Sequence, residues 1–198
     1  MHTRTLLSTC LLLLLSASPA AAHAEHGVAG GFISGFMHPL GGLDHLLAMA
    51  AVGIWGAFLG KPLVWALPVT FPLVMVAGGV LGIFAIPVPG VEEGIALSVV
   101  ALGTAIALAW RAPVAIAVTI IAIFALFHGH AHGTELPAAA APEAYATGFV
   151  LATGLVHLAG IAIGWLLGMR SGAWILRGIG LLIAMTGLWI MAGSPALA

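Results

Sequence analysis

Apolar stretches long enough to cross a bilayer recur along this chain, separated by short polar or proline-glycine breaks. About 20 predominantly apolar residues make a helix that spans the hydrocarbon layer. Only structures that satisfy their own backbone hydrogen bonds persist there, and a helix does so within one segment. The pattern predicts an all-α integral membrane bundle of six transmembrane helices, over about 41–59, 63–84, 92–110, 113–135, 143–169 and 172–192. A short helix over about 28–37 and a break at His38-Pro39 precede the first span. Apolar residues make up 62% of the chain and charged residues 6%, whereas a water-exposed surface wants about a quarter or more charged. The net charge is −1 and Lys plus Arg number five, which cannot form the basic stripe of a nucleic-acid binder.

Residues 1–22 have the pattern of a cleaved secretory signal peptide. Arg4 supplies the positive start, Leu6–Leu15 is apolar but too short to span, and Ala20 and Ala22 fit a small-residue cleavage site. Cleavage leaves His23 first in a six-span domain over 23–198. Cys10, the only cysteine, goes with the leader, so the mature chain has no disulfide and no thiolate ligand. With the mature N-terminus outside and six crossings, Lys61, Arg111, Arg170 and Arg177 all fall on the cytoplasmic side. Glu25, Glu92, Glu93, Glu135 and Glu143 fall on the other. That distribution obeys the positive-inside rule. It predicts a multi-pass protein of the bacterial inner (plasma) membrane with both mature termini on the periplasmic side.

Within this frame Pro68 and Pro72 bend the second span and free backbone carbonyls. Glu92 and Glu93 suit the helix N-terminus they open. Spaced glycines at Gly56/Gly60, Gly78/Gly82, Gly160/Gly164 and Gly164/Gly168 predict close helix contacts.

Two stretches break the apolar pattern with chemistry. His38–Met49 reads HPLGGLDHLLAM, and Phe127–Glu135 reads FHGHAHGTE. The chain contains neither Asn nor Gln, and nine of its few strongly polar residues are His. Ionisable residues at membrane depth are costly and mark functional sites by default. His38 and His45 are two turns apart, on one face to within about 20° if the helix is continuous. Met49 lies one turn further, as core or as an extra thioether ligand. Asp44 is placed to orient a histidine or to face a neighbouring helix. His128, His132 and Glu135 sit at i, i+4 and i+7 on one helical face. His130 points away, toward water, and Gly129 and Gly133 weaken the final turn. The six-span topology brings both motifs to the outer half of the membrane. His157 stands alone in mid-span, either as a hydrogen-bonded structural residue or as a deeper ligand. His23 and His26 offer metal donors at the outer mouth. Imidazole and carboxylate donors suit Ni, Co, Zn or Fe better than Cu(I). Affinity then falls as the histidines protonate below about pH 6.5.

The combined pattern resembles the HupE/UreJ family of nickel and cobalt permeases. The resemblance is carried by His38-Pro39, Gly42, Asp44-His45 and Met49 with Val52-Gly53; by Phe127-His128-Gly129 through His132-Gly133 and Glu135; and by Val91-Glu92 with Gly94-Ile95-Ala96 and Ser98. It implies uptake of Ni²⁺, or of Co²⁺, supplying hydrogenase or urease maturation, with an indirect link to nickel-enzyme maturation proteins. It implies a metal-handling set of His38, Asp44, His45, Glu92, His128, His132 and Glu135, with Phe71 a weaker member. No resident cofactor is expected, since the ion is cargo, and the partners are that divalent ion and the lipid bilayer. The residues alone leave two other classes open. One is an intramembrane metal-dependent hydrolase or hydroxylase; the other is a metal-binding membrane sensor without transport.

Overall fold

The computed structural model describes residues 28–135, 141–167 and 172–193. The expected leader, His23, His26 and Arg170 lie outside those residues. Seven α-helices follow one another: α1 Val28–Gly41, α2 Leu43–Leu59, α3 Leu63–Ile83, α4 Val91–Ala107, α5 Val114–Thr134, α6 Pro142–Leu167 and α7 Ala173–Met191. The described residues contain no strand.

The helix bounds follow the breaks in the sequence, with one displacement. The expected interruption at His38-Pro39 does not occur there. Proline disfavours helical geometry in the residue before it without forbidding it, and α1 continues through Pro39 to Gly41. The chain turns at Gly42 instead, whose backbone is extended at φ −96° and ψ 121°. The axes of α1 and α2 meet there at 81°. His38 and His45 therefore do not share the face of one helix. They sit on either side of a corner.

Four helices, α3, α5, α6 and α7, are long and apolar enough to cross a membrane, and the bent α1–α2 pair is a fifth if it counts as one span. Helix α4 has 17 residues, about 26 Å at the helical rise, against about 30 Å of hydrocarbon. Outward faces are apolar: Leu73, Phe84, Trp174 and Leu182 are each more than 65% exposed. Buried polar residues among those described are Ser98, His128, His130, His132, Thr153 and His157. Apolar groups outside and imidazoles inside invert the soluble arrangement, as lipid demands.

Helices associate where glycine removes the side chain between backbones. A Cβ on Gly129 would strike the Met75 carbonyl, and one on Gly133 the Gly79 carbonyl, so α3 and α5 lie in direct backbone contact. Gly53 and Gly160 do the same for α2 and α6. Gly129 and Gly133 thus do not disrupt the end of α5, which stays helical to Thr134. At the end of the bundle away from both histidine motifs, Arg111 lies over the Phe58 ring at 4.9 Å. There the Arg177 Nε–H also donates to the Ala107 carbonyl at 2.8 Å.

Candidate metal centre

The corner at Gly42, the backbone contact of α3 with α5, and the packing of α6 against α1 and α2 assemble the polar interior. His38 ends α1, His45 opens α2, and His128 and His132 lie one above the other on the inward face of α5. Their rings are contiguous. His38 meets His132 at 4.8 Å between centroids, His132 meets His45 at 4.6 Å, and His45 meets His128 at 4.9 Å. Glu135, at the C-cap of α5, reaches back so that its Oε2 lies 3.3 Å from His38 Nε2.

Hydrogen bonds fix which nitrogens remain free. His45 Nδ1 lies 2.7 Å from Asp44 Oδ1, and the same oxygen accepts the His45 backbone N–H at 2.7 Å. A carboxylate can only accept here, so Nδ1 carries the proton and Nε2 keeps its lone pair. Asp44 thereby orients the His45 imidazole, the arrangement that commonly supports metal-bound imidazole. Gly42 makes room for it, because a Cβ there would lie 2.9 Å from Asp44 Oδ1 and 3.1 Å from His45 Nδ1. His128 Nδ1 donates to the Phe124 carbonyl at 2.9 Å, which leaves its Nε2 as the free donor atom. His45 Nε2, His128 Nε2 and both ring nitrogens of His132 are buried without a protein partner.

Two layers result, sharing His132. The outer layer is His38, His132 and Glu135, whose donor atoms all lie within 4.8 Å of one another. Bonds of about 2.1 Å to one ion hold neighbouring donors about 3 to 3.4 Å apart, so this set closes on an ion by small side-chain rotations. The inner layer is His45, His128 and His132. Glu135 is 56% exposed at its side chain and His38 32%, so the outer layer opens to the surroundings, whereas His128 is fully buried.

The other expected site residues divide. Phe71 is fully buried beneath the cluster, its ring 5.3 Å from that of His128. Met49 is fully buried in the apolar core. Glu92 stands exposed in the first turn of α4, in no hydrogen bond or ion pair to the cluster among the described residues. His130 does not face water. It is 8% exposed, and its Nε2 donates to the Ile86 carbonyl at 2.8 Å. The loop between α3 and α4 covers the side of α5 expected to be open. His157 is buried one layer deeper.

Two neighbours were not singled out from sequence. Tyr145 and Phe149, four apart on α6, wall the cluster, with Phe149 at 4.4 Å from His132 and Tyr145 at 5.8 Å from His38. The signal was present in the spacing of Tyr145, Phe149, Thr153 and His157, which share one face of α6.

Residues 11–190 match the family described as HupE / UreJ protein. Among curated proteins, the chain is similar to "Protein HupE" of Rhizobium leguminosarum bv. viciae. The two are 43% identical over 178 residues, covering 89% of this chain and 93% of that protein. No solved structure matches.

Proposed function

The chain belongs to the HupE/UreJ family of membrane permeases, which are not enzymes, and from that premise we propose that it takes up a divalent transition metal ion through the histidine cluster. A role in nickel or cobalt transport goes with that membership. The cargo is Ni²⁺ first and Co²⁺ second, delivered toward hydrogenase or urease maturation. The bent α1–α2 pair and the five later helices make six spans. Residues 1–22 are removed as a signal peptide, and both mature termini lie on the periplasmic side of the inner membrane. The ion meets Glu135 and His38 first, passes to His132, and exchanges its waters for the imidazoles of His45 and His128. Asp44 orients His45, and Glu92 adds negative potential at the same mouth.

One observation carries this reading. His45 Nε2, His128 Nε2 and both ring nitrogens of His132 are buried with no protein partner, on rings in contact through His45. A buried polar group left unpaired costs about 1–3 kcal/mol, and a borderline divalent ion is the partner that imidazole nitrogens satisfy best. A hydrolase is set aside by the family. A sensor that binds without moving metal is separated by experiment. Vesicles containing only this protein should accumulate radiolabelled Ni²⁺, with Co²⁺ competing more strongly than Zn²⁺ or Fe²⁺. Binding without accumulation would make the protein a sensor.

A further inference from the structure

Below the histidine cluster lies a second set of polar groups that the outer site does not use. His157, near the middle of α6, is 1% exposed and keeps a buried ring nitrogen with no hydrogen-bond partner among the described residues. Thr153, one turn closer to the cluster, is fully buried with its hydroxyl likewise unpartnered. The third group is a carbonyl. Pro72 has no N–H, so the Pro68 carbonyl four residues earlier lacks its helical donor. That carbonyl faces the His157 ring. A structural histidine this deep normally has both ring nitrogens hydrogen-bonded; this one has the freed Pro68 carbonyl for one of them and nothing for the other.

Phe71 separates the two sets. Its ring meets His128 at 5.3 Å on one side and His157 at 5.5 Å on the other, both nearly edge-on. A cavity of about 440 Å³ lies at the opposite end of the bundle, lined in part by Ala57, Phe58, Gly164, Arg111 and Arg177. Gly164 lies seven residues past His157, about 10 Å along the helix. The cavity lining has two arginines and no His, Asp or Glu, so it offers a cation neither imidazole nor carboxylate.

We propose that His157, with the Thr153 hydroxyl and the Pro68 carbonyl, is a second and deeper binding station for the transported divalent ion, reached when the Phe71 ring swings aside. This rests on the uptake reading above. With one imidazole and two neutral oxygens, the station holds the ion more weakly than the outer cluster. Conduction requires that descending order, because a site must be weak enough to release. The imidazole also selects borderline ions over Mg²⁺ and Ca²⁺, which prefer oxygen alone.

The test uses the full-length protein, with equilibrium Ni²⁺ binding in detergent and Ni²⁺ uptake in vesicles. The wild type should show a weaker Ni²⁺ site beside the tight one. His157→Gln should lose the weaker site, keep the tight one, and lower uptake by about tenfold or more, since even an outer-shell partner tells on that scale. His45→Ala should do the converse in binding. Unchanged uptake and unchanged binding in His157→Gln would overturn the deeper station and leave the outer site standing. Failure of the wild type to accumulate Ni²⁺ counts against uptake itself. If His157→Gln and His157→Ala both fail to insert as folded protein, the imidazole serves packing, and the station is equally overturned.

Discussion

The ring Nδ1 of His45 lies 2.7 Å from the carboxylate of Asp44, its neighbour in sequence. The contact is local, yet it decides the chemistry of the cluster, because it turns Nε2 and its lone pair inward. Replacing Asp44 with Asn keeps the shape and removes the charge. We expect Asp44→Asn to insert normally and to bind Ni²⁺ about 10–100-fold more weakly, as loss of an orienting partner does. Equilibrium binding on purified protein reads this directly, and an unchanged affinity would remove Asp44 from the site.

His132 and His130 are two residues apart and have opposite roles. His132 belongs to both layers of the cluster, whereas His130 is committed to the Ile86 carbonyl. His132→Ala should abolish uptake with insertion intact. His130→Ala should retain Ni²⁺ binding and lose thermal stability, by about 1–3 kcal/mol for a buried carbonyl left without its donor. Equal effects on binding would show that the two cannot be told apart by their partners.

Proton competition gives a third expectation. A metal-bound imidazole must be unprotonated, so binding releases protons and weakens on acidification. Ordinary imidazole titrates near pH 6.5. Ni²⁺ affinity should therefore fall as the pH is lowered, which is the sign for imidazole ligands. An affinity unchanged by acidification would contradict a site built on imidazole ligands.

Much of the site was legible because it is built from local spacing. His128, His132 and Glu135 at i, i+4 and i+7 share a face of α5 as the period requires. What sequence could not supply came from elements far away. The break fell at Gly42, where a Cβ would crowd Asp44 Oδ1 and His45 Nδ1, while Pro39 remains in the last turn of α1. His130 lies on the far side of the helical wheel, which reads as solvent until the α3–α4 loop folds over it. The place of Tyr145 and Phe149 beside His38 and His132 depends on how α6 docks against α1. The expected leader, and His23 and His26 after it, lie outside the described residues.

Sidedness is testable with single cysteines in a background free of Cys10. Lys61→Cys and Glu143→Cys should react with an impermeant thiol reagent from opposite faces, the glutamate position from the periplasm. Labelling of both from one face would break the six-span assignment.

Nickel K-edge absorption of the purified, Ni²⁺-loaded protein tests the histidine cluster most directly. The expected spectrum shows scattering from several imidazole ligands, at about 2.0–2.1 Å, and loses that signature in His132→Ala. A coordination sphere of oxygen donors alone, or one that His132→Ala leaves unchanged, would contradict a site built where these imidazoles converge.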